Sequence, residues 1–318
     1  MKAVVLVGGE GTRLRPLTLT VPKQMLPVGG RPMIERVLAW LAGHSVTEAV
    51  LSLGYRPDAF SKAYPEGECA GVKLGYAVED SPLDTAGAIR FAASEGGVDE
   101  TFLVVNGDVL TSLDVTALVD FHRDRGAEAT IALTPVDDPS RYGVVETDDD
   151  GRVLAFVEKP PPGEAPTNLI NAGTYVLEPS VLSRIPPGRR VSIERETFPA
   201  LVGGGRLFAW PSSAPWVDAG TPAAFLQANL AYAADSPPSV VRSVIGEDVT
   251  VEAGATVVES VVMDGARIGA GARVHRSIVG RRSRVGAGAR LAGLSVLGEA
   301  AVVADGADLD GARVPPGP

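Results

Sequence analysis

The sequence predicts an α/β domain built on a mostly parallel sheet, followed by a parallel β-helix of hexapeptide repeats. Three observations predict it. Apolar strand-like runs alternate with helical periodicity up to about residue 234, a proline-rich break follows, and aliphatic residues then recur every six positions. Lys2–Val7, Glu48–Leu53, Val72–Val78 and Thr101–Asn106 read as strands, and Pro32–Leu41, Thr85–Ser94 and Val115–Arg123 as helices. Such alternation places helices on both faces of the sheet and ligands at the carboxyl ends of its strands. Gly143–Thr147 and Arg152–Glu158 bracket Asp148-Asp149-Asp150-Gly151 and read as a hairpin. The three aspartates are a solvated turn, because their spacing does not match a calcium loop.

Asp235-Ser236-Pro237-Pro238-Ser239 marks a linker, dividing the chain into 1–234, a connection over 235–240, and 241–318. Beyond it Ile245, Val251, Val257 and Met263 lie six apart, then Ile268 and Val274, then Val279, Val285, Leu291, Leu297, Val303 and Leu309. One-residue slips are expected before Ile268 and Val279. Two positions before most of these stands a small residue: Ala255, Ala266, Ala272, Ser277, Ser283, Ala289, Ser295, Ala301 or Ala307. Aliphatic residues that stack inward and small ones that fit corners define the β-helix. A flexible tail has no reason to keep that register.

The composition narrows the partners. A net charge of −10 and a pI near 4.9 disfavour binding to nucleic acid or an anionic membrane, which need a basic face. With 45% hydrophobic residues but only 5% aromatic ones, the core must be built from Val, Leu, Ile and Ala. The single cysteine, Cys69, rules out an internal disulfide and a multi-thiolate metal site. The opening run Met1–Val7 is too short for a secretory signal, and no stretch approaches the ~18–20 apolar residues of a membrane span. A soluble, cytoplasmic protein is the expectation.

Gly8-Gly9-Glu10-Gly11-Thr12-Arg13-Leu14-Arg15-Pro16-Leu17-Thr18 follows directly on the first strand. Glycines let backbone N–H groups approach phosphate oxygens closely. The spacing matches neither the dinucleotide fingerprint nor the P-loop. A glycine loop alone is an ordinary tight turn. Arg13, Arg15 and Lys23 in the same segment give it the charge of a polyphosphate site.

The run from Leu6 to Val28, with Gly-Gly-x-Gly-Thr-Arg-Leu-Arg-Pro-Leu-Thr and then Pro22-Lys23-Gln24-Met25-Leu26-Pro27-Val28, closely resembles the sugar-1-phosphate nucleotidyltransferase family. Within that family it looks most like the mannose-1-phosphate guanylyltransferases. The resemblance continues through Thr85-Ala86-Gly87-Ala88, Asn106-Gly107-Asp108, Glu158-Lys159-Pro160, Asn171-Ala172-Gly173 and Trp216–Pro222, and so covers essentially the whole chain. It implies a Rossmann-like nucleotidyltransferase fold and a left-handed hand for the β-helix. The implied reaction joins a nucleoside triphosphate to a sugar 1-phosphate with release of pyrophosphate: GTP and mannose 1-phosphate giving GDP-mannose. Gln24 departs from the guanylyltransferase pattern, where proline is common, and resembles the thymidylyltransferase branch. Transfer of thymidylyl or uridylyl groups to glucose 1-phosphate therefore stays open, as does a non-catalytic partner that senses the product.

The resemblance also assigns roles. Arg13 holds the β- and γ-phosphates, and Lys23 stabilises charge on the α-phosphoryl group. The backbone of Gly8, Gly9, Gly11 and Thr12 and the helix-opening amides of Thr85, Ala86 and Gly87 contact the nucleotide. Glu158 takes the sugar hydroxyls and Lys159 the sugar phosphate, with Gly143, Asn171 and Gly173 completing the pocket. Asp108 and Asp218 hold Mg2+, which prefers one or two carboxylates plus phosphate oxygens. Strand alternation sends Glu158 and Lys159 to opposite faces, so the turn at the prolines must re-aim one of them if both are to face the ligand.

The attacking phosphomonoester is mostly a dianion at neutral pH, its second pKa being about 6, so no general base is required. His44, His122 and His275 are then structural or surface residues. The obstacle is repulsion: two unit charges about 4 Å apart cost roughly 4 kcal/mol at an effective dielectric near 20, and a dianion about twice that. Retention of Arg13, Lys23, Asp108 and Asp218 favours an enzyme over a sensor. An acyltransferase acting through the β-helix would need a histidine base with a partner, and His275 has none in the sequence nearby. The β-helix is expected to mediate homo-oligomerisation.

Overall fold

The computed structural model describes residues 1–236 and 239–317, so Pro237 and Pro238 of the expected linker lie outside the described residues. The chain divides into two compact units: residues 1–8 with 37–216, and residues 9–36 with 217–318.

The first unit is built on β1 (Lys2–Leu6), β2 (Glu48–Leu53), β3 (Val72–Val78), β4 (Phe102–Asn106), β5 (Ala129–Pro135), β6 (Gly143–Thr147), β7 (Val153–Glu158), β8 (Leu169–Leu177) and β9 (Leu207–Pro211). Its sheet order is β7-β6-β8-β4-β1-β2-β3, with β5 also paired to β8 and β9 to β5. β3, β2, β1 and β4 run parallel, β8 is antiparallel to β4, β5 and β6, and β9 is parallel to β5. The predicted strands and the hairpin are therefore present, within a residue at each end. β8 converts a parallel half into a mixed sheet, which the alternation of elements did not reveal.

The helices α1 (Met33–Gly43), α2 (Asp84–Glu95) and α3 (Val115–Asp124) fall between these strands in the chain, as the three helical periods predicted. Ala86, Ile89, Ala92 and Ala93 of α2 are buried in one cluster with Val4, Val50 and Val104 of the sheet. Small aliphatics let the helix lie close to the sheet, as the scarcity of aromatics foretold. Among the aromatics that do occur, Tyr175 and Phe198 meet edge to face at 5.1 Å and Phe156 lies 5.6 Å from Phe198.

In the second unit, Val240–Ile245 and the short strands after it form three parallel ladders. Thr250 pairs with Arg267, 17 residues on, and Arg284 with Val302, 18 residues on, so each coil is three hexapeptides or one residue less. The left-handed β-helix expected from the sequence is present. Its interior stacks Val257, Val274, Leu291 and Leu309 on one face, Val251, Ile268, Val285 and Val303 on a second, and Ile245, Val262, Val279, Leu297 and Val314 on the third. The register residue is thus Val262, not Met263, and the first slip falls before Val262, not before Ile268. Val262 and Met263 are both buried aliphatics, so periodicity alone could not choose between them.

The shift also reveals a corner ladder. Ser243, Ser260, Ser277 and Ser295 are buried, and the hydroxyls of Ser243 and Ser260 accept from the backbone N–H of the serine one coil on, at 3.0 and 3.1 Å. Ser295 accepts likewise from Ala312 N at 3.1 Å. Each hydroxyl satisfies an amide that the tight corner leaves without a ladder partner. At the start of this unit's carboxyl portion, Ala234–Ser236 pairs antiparallel with Val240–Ile245. α4 (Pro222–Leu230) packs on Val240–Ile245 and Val261–Val262.

Candidate functional site

In the first unit, β1 ends at Leu6 and hands over to Val7-Gly8. Gly8 O accepts from Tyr55 N at 3.3 Å, and a Cβ on Gly54 would lie 3.0 Å from that same oxygen, so two backbones touch here. The neighbouring strand β4 ends at Asn106, and Gly107 N donates to Leu6 O at 2.9 Å. A Cβ on Gly107 would stand 2.5 Å from Val7 Cγ1, which fixes glycine at this turn. The turn delivers the half-buried carboxylate of Asp108 to the carboxyl edge of the parallel strands, where ligands of such sheets bind.

Glu158 closes β7 opposite Gly143 of β6. Lys159 takes φ of +51°, and its Nζ lies 2.9 Å from Glu158 Oε1. The positive φ undoes the strand alternation and brings the two side chains to one side, as the sequence required of the turn before Pro160. A Cβ on Gly143 would lie 2.6 Å from Phe156 Cζ and 3.0 Å from Glu158 Oε2, so the missing side chain makes room for both.

Asn171 and Gly173 form a bulge in β8, where the register to β5 shifts between Asn171 and Tyr175. Asn171 Nδ2 donates to Tyr175 Oη at 2.9 Å, and Asn171 Oδ1 accepts from Gly173 N at 2.9 Å. Burial pushes the Tyr175 phenol well above its ordinary value, so it stays a neutral hydroxyl. Gly173, at φ +73°, lets the bulge close against Asn106, whose Nδ2 would be 2.6 Å from an added Cβ.

The amides at the start of α2, expected to contact the nucleotide, are bonded within the protein. Ala86 N and Gly87 N both donate to Val191 O, at 2.9 and 3.2 Å, and Thr85 N is taken by Asp84 Oδ1 at 2.9 Å. Thr85 Oγ1 donates to Glu194 Oε2 at 2.7 Å, and a Cβ on Gly87 would strike Arg189 O at 2.5 Å. These residues fasten the 189–194 segment onto α2. A sequence shows a helix start, but not which distant carbonyl takes its first donors.

In the second unit, Gly11 adopts φ of +63° and a Cβ there would meet Thr18 Cγ2 at 3.0 Å and Lys23 Cβ at 3.1 Å. Thr18 Oγ1 and Leu14 N both donate to Gly11 O, at 2.8 and 2.9 Å. The loop therefore curls tightly, leaving Gly9, Thr12 and Arg13 exposed. Lys23 Nζ would be 3.9 Å from a Cβ on Gly9, placing its charge over the glycine backbone. Arg13 Nη2 lies 4.0 Å from Asp218 Oδ2 and 2.6 Å from the position of a Cβ on Gly220. Asp218 Oδ1 accepts from Gly220 N at 2.9 Å. Arg15 pairs instead with Glu10 at 3.0 Å, so two of the three cations face the loop's glycines or the Asp218 turn. Gln24 is only 1% exposed, with its Oε1 buried and unpartnered, so its amide points into the protein.

Asp108 in the first unit and Asp218 in the second each carry the hard carboxylate oxygens that magnesium prefers, and no cluster of three or more His, Cys, Asp or Glu is gathered among the described residues. Magnesium needs no such cage, because substrate phosphates and water fill the rest of its shell. Away from these residues, an open cleft of about 410 Å3 is lined by His122, Arg123, Glu178 and Arg206 among others. Its histidine is structural: Nδ1 bonds Thr130 Oγ1 at 2.8 Å and Nε2 bonds Glu178 Oε1 at 3.1 Å.

The nucleotidyl transferase family matches residues 2–235, and the GMPPB C-terminal domain family matches residues 237–317. The chain belongs to the nucleotidyl transferase family. It is 41% identical over 256 residues to a mannose-1-phosphate guanylyltransferase of Mycobacterium tuberculosis, covering 80% of this chain and 70% of that one. It is 46% identical over 236 residues to a mannose-1-phosphate guanyltransferase of Emericella nidulans, covering 73% and 64%. The matched part thus spans roughly two thirds of those relatives' length. The crystal structure of HddC from Yersinia pseudotuberculosis complexed with GMP-PN aligns at a TM-score of 0.63 and 30% identity, covering 73% of this chain and 99% of that one.

Proposed function

We propose that this chain transfers the guanylyl group of GTP to mannose 1-phosphate, giving GDP-mannose and pyrophosphate. The observation that carries the proposal is the loop after β1, where Lys23 lies over the Gly9 backbone and Arg13 over Gly220 beside Asp218. The guanylyltransferase relatives and the neighbour complexed with GMP-PN support the choice of base and sugar. Gln24 does not oppose it, since its side chain is buried.

In this reading Gly8, Gly9, Gly11 and Thr12 cradle the triphosphate, Arg13 holds the departing pyrophosphate, and Lys23 offsets charge at the α-phosphorus. Glu158 orients the sugar and Lys159 its phosphate, with Gly143, Asn171 and Gly173 shaping the pocket. Thr85, Ala86 and Gly87 contribute by packing, not by donating amides. The sugar phosphate arrives as a dianion and attacks in line, so no residue has to remove a proton. Asp108 and Asp218 would hold Mg2+, which when bound neutralises phosphate charge. Residues 1–234 are the catalytic portion, 235–240 the connection, and 241–318 a β-helix that associates with further copies. No helix among the described residues is long and apolar enough to cross a membrane, and a cytoplasmic location suits a reaction of soluble phosphates.

A pyrophosphate-release panel tests the proposal, with GTP, dTTP, UTP, CTP and ATP against mannose and glucose 1-phosphates. GTP with mannose 1-phosphate should be turned over fastest. Preference for dTTP or UTP with glucose 1-phosphate would transfer the assignment to that branch, and no release from any pair would leave a sensor.

A further inference from the structure

We propose that Arg36, Asn229 and Tyr232 form a clamp that positions the phosphate-binding loop, a role resting on the reading of residues 9–23 as that loop. The loop's outgoing end bends through the hairpin Pro27–Val28 and Arg31–Pro32. At the bend, Val28 O and Gly29 O accept from Nε and Nη2 of Arg36, and Gly29 N donates to Asn229 Oδ1 at 3.0 Å. Asn229 is fully buried and returns its Nδ2 to Phe225 O at 3.0 Å, one turn earlier in α4. The Arg36 guanidinium stacks 3.7 Å over the Tyr232 ring, a cation–π contact that holds the planar fork toward both carbonyls. Gly29 sits at φ +55°, and a Cβ there would lie 2.6 Å from Tyr232 Cβ and 2.7 Å from Arg36 Nη2. The bend is closed on three sides by side chains whose geometry admits no slack.

The other end of α4 touches the same loop. Thr221 caps the helix through Ala224 N, and immediately before it Asp218 and Gly220 stand against Arg13. A nine-residue helix about 13.5 Å long therefore fastens the loop twice, near Arg13 at its amino end and at Gly29 at its carboxyl end. Between those anchors, Pro22 and Pro27 restrict the chain on either side of Lys23. Arg36, Asn229 and Tyr232 act through Lys23 and Arg13, and are positioning residues.

The test compares Tyr232→Ala, Tyr232→Phe and Arg36→Lys with the wild type. Turnover, KM for each substrate and amide hydrogen exchange over residues 9–29 are measured on the full chain. Tyr232→Ala and Arg36→Lys should lower kcat by about 10- to 100-fold, the cost of misplacing catalytic groups by a fraction of an ångström to one ångström. KM for mannose 1-phosphate should change less than about twofold, because uniform substrate binding is left in place. Tyr232→Phe, which keeps the ring, should restore kcat. Exchange over residues 9–29 should quicken in the two damaging variants only. Unchanged kcat in both, or a Phe variant as poor as the Ala variant, would overturn the clamp. An inactive wild type would instead defeat the functional reading, and the exchange data would then decide the clamp by themselves.

Discussion

Gly220→Ala separates the position of a cation from the stability of the fold. An added Cβ would sit 2.6 Å from Arg13 Nη2 and 2.8 Å from Asp218 Oδ1, against ordinary contacts of 3.4–4 Å. Gly220 has no positive φ, so alanine is compatible with the backbone and the strain falls on side-chain ends. The guanidinium must retreat by about 0.8 Å to reach contact distance, and it can do so because the Arg13 side chain is 57% exposed. Its 4.0 Å pair with Asp218 is correspondingly weak, about 0–1 kcal/mol for an exposed pair, so unfolding should hardly change. A displacement near 1 Å in a group that binds the leaving pyrophosphate costs up to about 100-fold in rate, equivalent to about 2.7 kcal/mol of barrier. Pyrophosphate release at saturating substrate, together with urea denaturation, reads both quantities. Turnover within about twofold of wild type in a stable Gly220→Ala protein would refute the claim that Arg13 must stand where it does.

Ser260→Ala should destabilise the protein by about 1–3 kcal/mol, because Ser277 N loses its buried acceptor, and chemical denaturation measures it. His122 sets a pH dependence. Burial holds its imidazole below the usual 6.5, with Glu178 partly opposing, so the folded state binds this proton less readily than the unfolded chain. The associated stability is fully present above pH 6.5 and is lost as pH falls through the depressed folded value. His122→Gln should flatten that slope in denaturation curves taken between pH 7 and 5, and an unchanged slope would assign it to other groups. Gly173→Ala should lower kcat/KM by about 10-fold or more, as its Cβ would press 2.6 Å from Asn106 Nδ2 and its φ of +73° disfavours alanine; steady-state kinetics in the sugar phosphate test it.

The parts legible in the sequence were those with a strict period or a local steric reason. Stacked aliphatics disclosed the β-helix because each coil repeats the same inward position, yet Val262 and Met263 were equivalent to that pattern and only pairing told them apart. The loop after β1 was legible because glycines and cations lie close together in the chain. Alternation, with both side chains assigned to the ligand by the resemblance, required one of Glu158 and Lys159 to be re-aimed, and the φ of +51° at Lys159 supplies it. What escaped was long-range. Nothing near Thr85–Gly87 announces that Val191 and Glu194, about a hundred residues later, take its donors. Likewise Asn229 lies 200 residues from Gly29, so the clamp has no local signature.

The account rests on charge neutralisation by a few cations and a carboxylate-held divalent ion. Its most direct test is pyrophosphate release from GTP and mannose 1-phosphate by wild type and Asp108→Asn across a magnesium titration. The wild type should fall silent in chelator and recover with magnesium, while Asp108→Asn should remain about 100-fold slower at saturating magnesium. Equal rates for the two proteins, or turnover unaffected by chelator, would contradict it.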